Sequence, residues 1–201
     1  MAEADAEAAA PVPAEYRVMQ GPLFKKPGTD PAGGKVVALK RKVGSVVKTT
    51  GKLWTGPSGG DWVELDPAAE KPGWLLVEGP GFNTPGPLLE KVETGEEAPL
   101  ILKLYSLITK EVLCEICVKK GAGMRVIKWW VALRDPHKLK PAKVLLAIKM
   151  PDEQEQGSFS ISSFPTSNLA NDQATVDQVY EDGAQVPYFY MGESSDDGAF
   201  G

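Results

Sequence analysis

The chain has 201 residues, of which 42% are hydrophobic and 24% charged, and a formal net charge of −5. That length is one large domain or two small ones, and the acid excess removes any global attraction to nucleic acid. The apolar runs are too short to span a bilayer as a helix, so no membrane span is expected.

Residues 1–14 are mostly Ala, Glu and Pro, with acids at Glu3, Asp5 and Glu7. Too few large apolar side chains are present to offset the entropy of ordering, so a disordered acidic tail is expected. The segment lacks the basic and apolar regions of a secretory signal and the arginines of a transit peptide. A cytoplasmic or nuclear location is therefore expected, with a mature organelle protein as the alternative.

Residues 15–83 read as short strands punctuated by glycine and proline. Strands are expected at residues 16–19, 35–42, 46–53, 62–65 and 74–77. Between them lie Gly21-Pro22, Gly44-Ser45, a glycine-rich turn at residues 56–60 and Lys71-Pro72-Gly73. So many short strands with turn residues between them predict a small barrel.

This region also holds the sharpest charge feature. From Lys25 to Lys52 there are eight basic residues and one acid, Asp30. Lys35, Lys40, Arg41 and Lys42 fall on one expected strand, and Lys48 and Lys52 on the next. If the two strands are neighbours, they gather these side chains on one face, where phosphates or an acidic partner could be met. The plainer reading is a solvated sheet face whose lysines blunt an edge. Trp54, beside the glycine-rich turn, is the candidate exposed aromatic for an extended peptide. Trp62 and Trp74 each start an alternating strand and read as core.

Residues 84–98 are rich in Pro, Gly and Glu and read as a linker. Residues 99–192 change character. Leu100, Leu102 and Leu104 alternate along a first strand, and residues 111–119 form a second, completing a hairpin. A helix is predicted at residues 124–134, where Val126, Ile127, Trp130, Val131 and Leu133 fall at helical spacing. Asp135-Pro136 ends it. Trp129 and Trp130 project about 100° apart. Trp130 faces the sheet, leaving Trp129 at the boundary, either open to a partner or covering the sheet's rim. A strand at residues 143–148, a polar insertion at 150–171 and a last strand at 185–191 follow. Residues 193–201 form a second acidic tail.

Cys114 and Cys117 are the only cysteines. Cys-x-x-Cys spacing invites a zinc or redox reading. On a strand, residues three apart face opposite ways, so the two thiols read as ordinary half-buried or buried groups. No metal site and no cofactor are expected. No catalytic residue is expected either. Ser158, Ser160, Ser162 and Ser163 lack a Gly-x-Ser-x-Gly context, and His137 has no evident partner.

Two family resemblances complete the reading. Gly59-Gly60-Asp61-Trp62-Val63-Glu64-Leu65 and Gly73-Trp74-Leu75-Leu76-Val77 resemble the last two strands of an SH3-like barrel of the bacterial type. In the second half, the order hairpin, helix, strand, Thr175-Val176, Val179-Tyr180, Asp182-Gly183, last strand resembles the ubiquitin-like β-grasp. It departs from that family in its long insertion and in lacking a terminal Gly-Gly. The expected fold is therefore β-rich, a small all-β SH3-like barrel followed by an α+β β-grasp domain. Both modules imply protein contacts, so the expected function is an adaptor or accessory subunit with a protein partner. Nucleic-acid binding through the strands between Lys35 and Lys52 is the alternative. An enzyme or a conjugated modifier ranks below both.

Overall fold

In the computed structural model, which describes residues 11–82, 86–151 and 164–191, the chain is mostly β-structure arranged in two sheets. The first sheet is built from β1 (Ala14–Val18), β2 (Leu23–Pro27), β3 (Val37–Leu39), β4 (Val46–Thr55), β5 (Asp61–Leu65), β6 (Gly73–Glu78) and β7 (Leu89–Lys91), in the order β3-β2-β6-β5-β4-β1-β7. Every pairing in it is antiparallel. Its core gathers Val18, Leu23, Val47, Trp62, Val63, Leu65, Trp74 and Leu75, so Trp62 and Trp74 are core residues as their strand positions require.

β4 is ten residues long and its pairing with β5 shifts register between Thr49 and Leu53. Gly51 sits in that irregularity with φ +79, and a Cβ there would lie 1.9 Å from the Val12 carbonyl oxygen. A bulge of this kind lets one long strand bend and serve both its neighbours.

Two strands of this sheet fall where the sequence suggests loop. β2 lies between Pro22 and Pro27, which disguise it, yet Leu23 is fully buried and β2 pairs with both β3 and β6. β7 lies inside the expected linker of residues 84–98. Leu88 and Leu89 are buried in the first core, and β7 covers the free edge of β1. An exposed β1 edge would leave unpaired backbone groups, and β7 removes that exposure. Further corrections are smaller. Ala14, expected in the tail, begins β1, and the expected strand at residues 35–42 shortens to β3.

The second sheet contains β8 (Leu100–Ser106), β9 (Glu111–Val118), β10 (Val144–Leu146) and β11 (Gln185–Tyr190), ordered β10-β11-β8-β9. β11 runs parallel to β8, and the other pairs are antiparallel. Helix α1 (Arg125–Arg134) covers one face. Ile127, Trp130 and Val131 pack on Leu100, Leu102, Leu104, Ile116 and Val118. α1 stops at Asp135, which turns to extended φ −69, ψ 129, as the following Pro136 demands. A single turn, α2 (Val176–Val179), precedes Asp182-Gly183. The Asp182 carboxylate accepts the Ile101 N–H at 2.8 Å and the Gly183 N–H donates to the Ile101 carbonyl at 2.8 Å, which fixes the register of β11 against β8.

The two lobes share a seam. Across it the Cys117 N–H donates to the Met19 carbonyl at 3.1 Å, and on the first-lobe side Gln20 Nε2 donates to the Pro87 carbonyl at 3.0 Å. Arg134 donates to Gln20 Oε1 and to the Gly21 carbonyl. Met19, Val43, Cys117 and Ile101 form a small apolar cluster between the lobes. Among the described residues, no helix is long and apolar enough to cross a membrane. The tail at residues 193–201, most of the tail at 1–14 and the middle of the insertion at 150–171 lie outside the described residues.

Replacing Gly51 with valine should destabilise the first lobe, because φ +79 is strained for a β-branched residue and the new Cβ meets Val12 backbone. Strain alone is worth about 1–3 kcal/mol. Urea unfolding should show a lowered midpoint for Gly51→Val, and an unchanged midpoint would contradict the bulge geometry.

Candidate functional site

The seam opens into a groove of about 910 Å³. One wall is α1, presenting Arg125, Val126, Trp129 and Trp130. The floor is the end of β9, with Cys117 and Val118, and the facing wall is the first lobe, with Met19 and Pro87. Pro141 and Ala142, from the turn before β10, close the far side. The lining is chiefly apolar and has charged residues at its rims, the usual make-up of a docking cleft.

Helical geometry explains the exposed tryptophan. Trp130 points at the second core and is 3% exposed, whereas its neighbour Trp129 is 41% exposed. The two indoles meet edge to face, with centroids 5.1 Å apart. The chain at Gly86 passes over both rings, so closely that a Cβ there would lie 3.1 Å from Trp129. Val126 lies one turn before Trp129 and is 38% exposed, extending the apolar stripe.

Ion pairs brace the rims. Lys119 Nζ lies 2.8 Å from Glu90 of β7 and 3.0 Å from Glu96, tying the lobes together. The hydrogen bonds that the Lys119 ammonium donates to Glu90 and then Glu96 hold it well above its ordinary pKa. Lys128 is a buried member of α1, and its Nζ reaches Asp172 at 2.6 Å.

The thiols take opposite faces of β9. Cys114 packs against the core under α1, and Cys117 lies in the seam cluster. Burial pushes both up from an ordinary 9.0 to about 11, against a smaller opposing pull from Arg134 at Cys114 and from Arg17 at Cys117. Among the described residues, no cluster of His, Cys, Asp or Glu is arranged to hold a metal ion.

The two strands expected to carry the basic face are not neighbours. β3 pairs with β2, while β4 lies beyond β2, β6 and β5 in the ladder, so Lys35 to Lys42 are not on a strand next to Lys48 and Lys52. The turn at Gly44-Ser45 returns the chain to β1 rather than closing a hairpin between β3 and β4. Arg41 is bound to Glu70, and Lys52 Nζ lies 5.6 Å from the centre of the Trp74 ring. Trp54 is half-buried, packs toward Trp62 and is covered by Lys26 Nζ at 4.4 Å. Of the expected binding residues, Trp129 is the one that lines the groove.

His137 does have a partner. Its Nδ1 lies 2.8 Å from Asp135 Oδ1, and Asp135 Oδ2 accepts the Tyr188 hydroxyl at 2.9 Å. Asp135 also accepts the His137 backbone N–H at 3.0 Å, so the carboxylate is the hub of a local turn linking the end of α1 to β11. Sequence reading missed this because the Asp-Pro-His spacing is short and the third member lies 53 residues away. The four serines weighed as nucleophiles lie outside the described residues.

No protein-family model, curated protein or solved structure matches the chain.

The raised thiols give a pH dependence with a definite sign. Between about pH 9 and 11 the unfolded chain has lost thiol protons that the folded chain retains, so stability falls as pH rises through that window. Urea unfolding of the native chain at pH 8 and 10.5 should show the decline, and Cys114→Ala/Cys117→Ala should show a shallower one. A native chain whose thiols react with an alkylating reagent at pH 8 as fast as unfolded chain would contradict their burial.

Proposed function

We propose that the chain is a non-catalytic protein-interaction module, an adaptor or accessory subunit, that docks a partner segment in the groove beside Trp129. The observation that carries this reading is the apolar groove itself, with an exposed tryptophan and an arginine at its mouth. Tryptophan and arginine are the side chains that most often dominate binding energy at interfaces.

The same reading holds the first lobe to be an SH3-like barrel and the second a ubiquitin-like β-grasp. In support, Trp62 and Trp74 stand on adjacent antiparallel strands of a three-stranded meander, β4-β5-β6. In the second lobe the order hairpin, α1, β10, α2, Asp182-Gly183, β11 runs as the resemblance requires. The separation of the basic residues weighs against nucleic-acid binding as the first function.

The test is affinity for a co-purifying protein partner. Trp129→Ala should weaken that complex about tenfold or more, while the variant, which loses the ring's contacts with Trp130 and Gly86, should still unfold cooperatively as a folded chain. A photoreactive residue at Val126 should crosslink to the partner, while one at Ile108, equally exposed on the β8–β9 turn, should not. Equal crosslinking at both positions, or unaltered affinity of Trp129→Ala, would overturn the reading. Partner loss on reversing Lys40, Arg41 and Lys42 instead would move the binding surface to the first lobe.

A further inference from the structure

The chain leaves the described structure beside the groove. The Met191 N–H donates to the Lys143 carbonyl at 3.1 Å, and Lys143 directly follows Pro141 and Ala142, which line the groove. We propose that residues 192–201 of the same chain occupy the groove, with their acids on the adjoining lysines and Phe200 against Trp129. This rests on the groove being a docking surface, and it names the occupant in the absence of a partner.

Charge complementarity selects this segment. It reads Gly-Glu-Ser-Ser-Asp-Asp-Gly-Ala-Phe-Gly, with acids Glu193, Asp196 and Asp197, one aromatic and no base. At the groove, Lys119 and Lys128 are already held by carboxylates. Arg125, on its lining, and Lys140 and Lys143, exposed and flanking Pro141 and Ala142 in the chain, make no ion pair among the described residues. The segment therefore starts beside the Lys143 backbone, and it carries one aromatic side chain, Phe200, suited to an exposed indole.

Reach is sufficient. Nine residue-to-residue steps lead from Met191 to Phe200, which at about 3.3 Å each extend to about 30 Å. The ten residues of α1 rise about 15 Å, so the segment can run the helix length with slack. A tether this short gives an effective concentration on the order of millimolar, so a contact too weak to hold a free peptide still fills the groove.

The experiment follows the Trp129 indole N–H by NMR in the full chain, with its resonance assigned by Trp129→Phe. Removal of residues 192–201 should shift that resonance and leave the buried Trp74 resonance in place. Glu193→Lys/Asp196→Lys/Asp197→Lys, which alters no described residue, should move it to the truncated position, and 1 M salt should move it part of the way through screening. A synthetic peptide of residues 192–201, added at millimolar concentration to the truncated chain, should return it. An identical Trp129 resonance with and without the segment would overturn the proposal. A shift that appears only as protein concentration rises would do so too, since the occupant would then be a second copy. If the resonance is indifferent to the segment while Trp129→Ala still weakens the partner complex, only the choice of occupant fails. If Trp129→Ala is also without effect, the docking reading fails with it.

Discussion

The backbone bond from the Cys117 N–H to the Met19 carbonyl places the end of β9 against the chain just after β1. Once that contact is made, Met19 meets Ile101 and Cys117, Gln20 meets Arg134, and β7 brings Glu90 to Lys119. Each partner comes from a different lobe. The groove is what remains between the lobes when these contacts are satisfied. The seam is not without cost, since Nε of Arg17 and Nε of Arg134 are buried with no hydrogen-bond partner among the described residues.

Much of the second lobe is legible from sequence because its signals are local. The Leu100, Leu102, Leu104 alternation, the helical spacing around Trp130, the Asp135-Pro136 stop and the Asp182-Gly183 turn each lie within a few residues, and each corresponds to an element. The first lobe is less legible where pairing alone makes the strand. β7 has only Leu88 and Leu89 as apolar anchors amid prolines and glutamates, and its order comes from the free edge of β1, far away in sequence. β2 is similar, hidden between two prolines. The basic segment shows the same limit in reverse. Its charge is plain in the sequence, but which strand lies beside which is a property of the ladder order, and that order separates β3 from β4.

The groove itself is not legible in one dimension. Its walls come from Met19, Pro87, Cys117, Trp129 and Pro141, which no local pattern connects. Only the exposure of Trp129 could be anticipated, because two adjacent tryptophans on a helix cannot both face one sheet. Burial of the thiols follows the same logic. Strand alternation sends Cys114 and Cys117 to opposite sides, but the depth of each depends on α1 and on the first lobe.

The bond from Lys128 to Asp172 also limits how α1 can move. The lysine stem is buried along the helix while its ammonium is fastened to the loop before α2, and at the helix end Asp135 is fastened to Tyr188 of β11. A rod pinned at two points off its long axis cannot roll. The stretch of helix that carries Trp129 is therefore held in place along the groove that it lines.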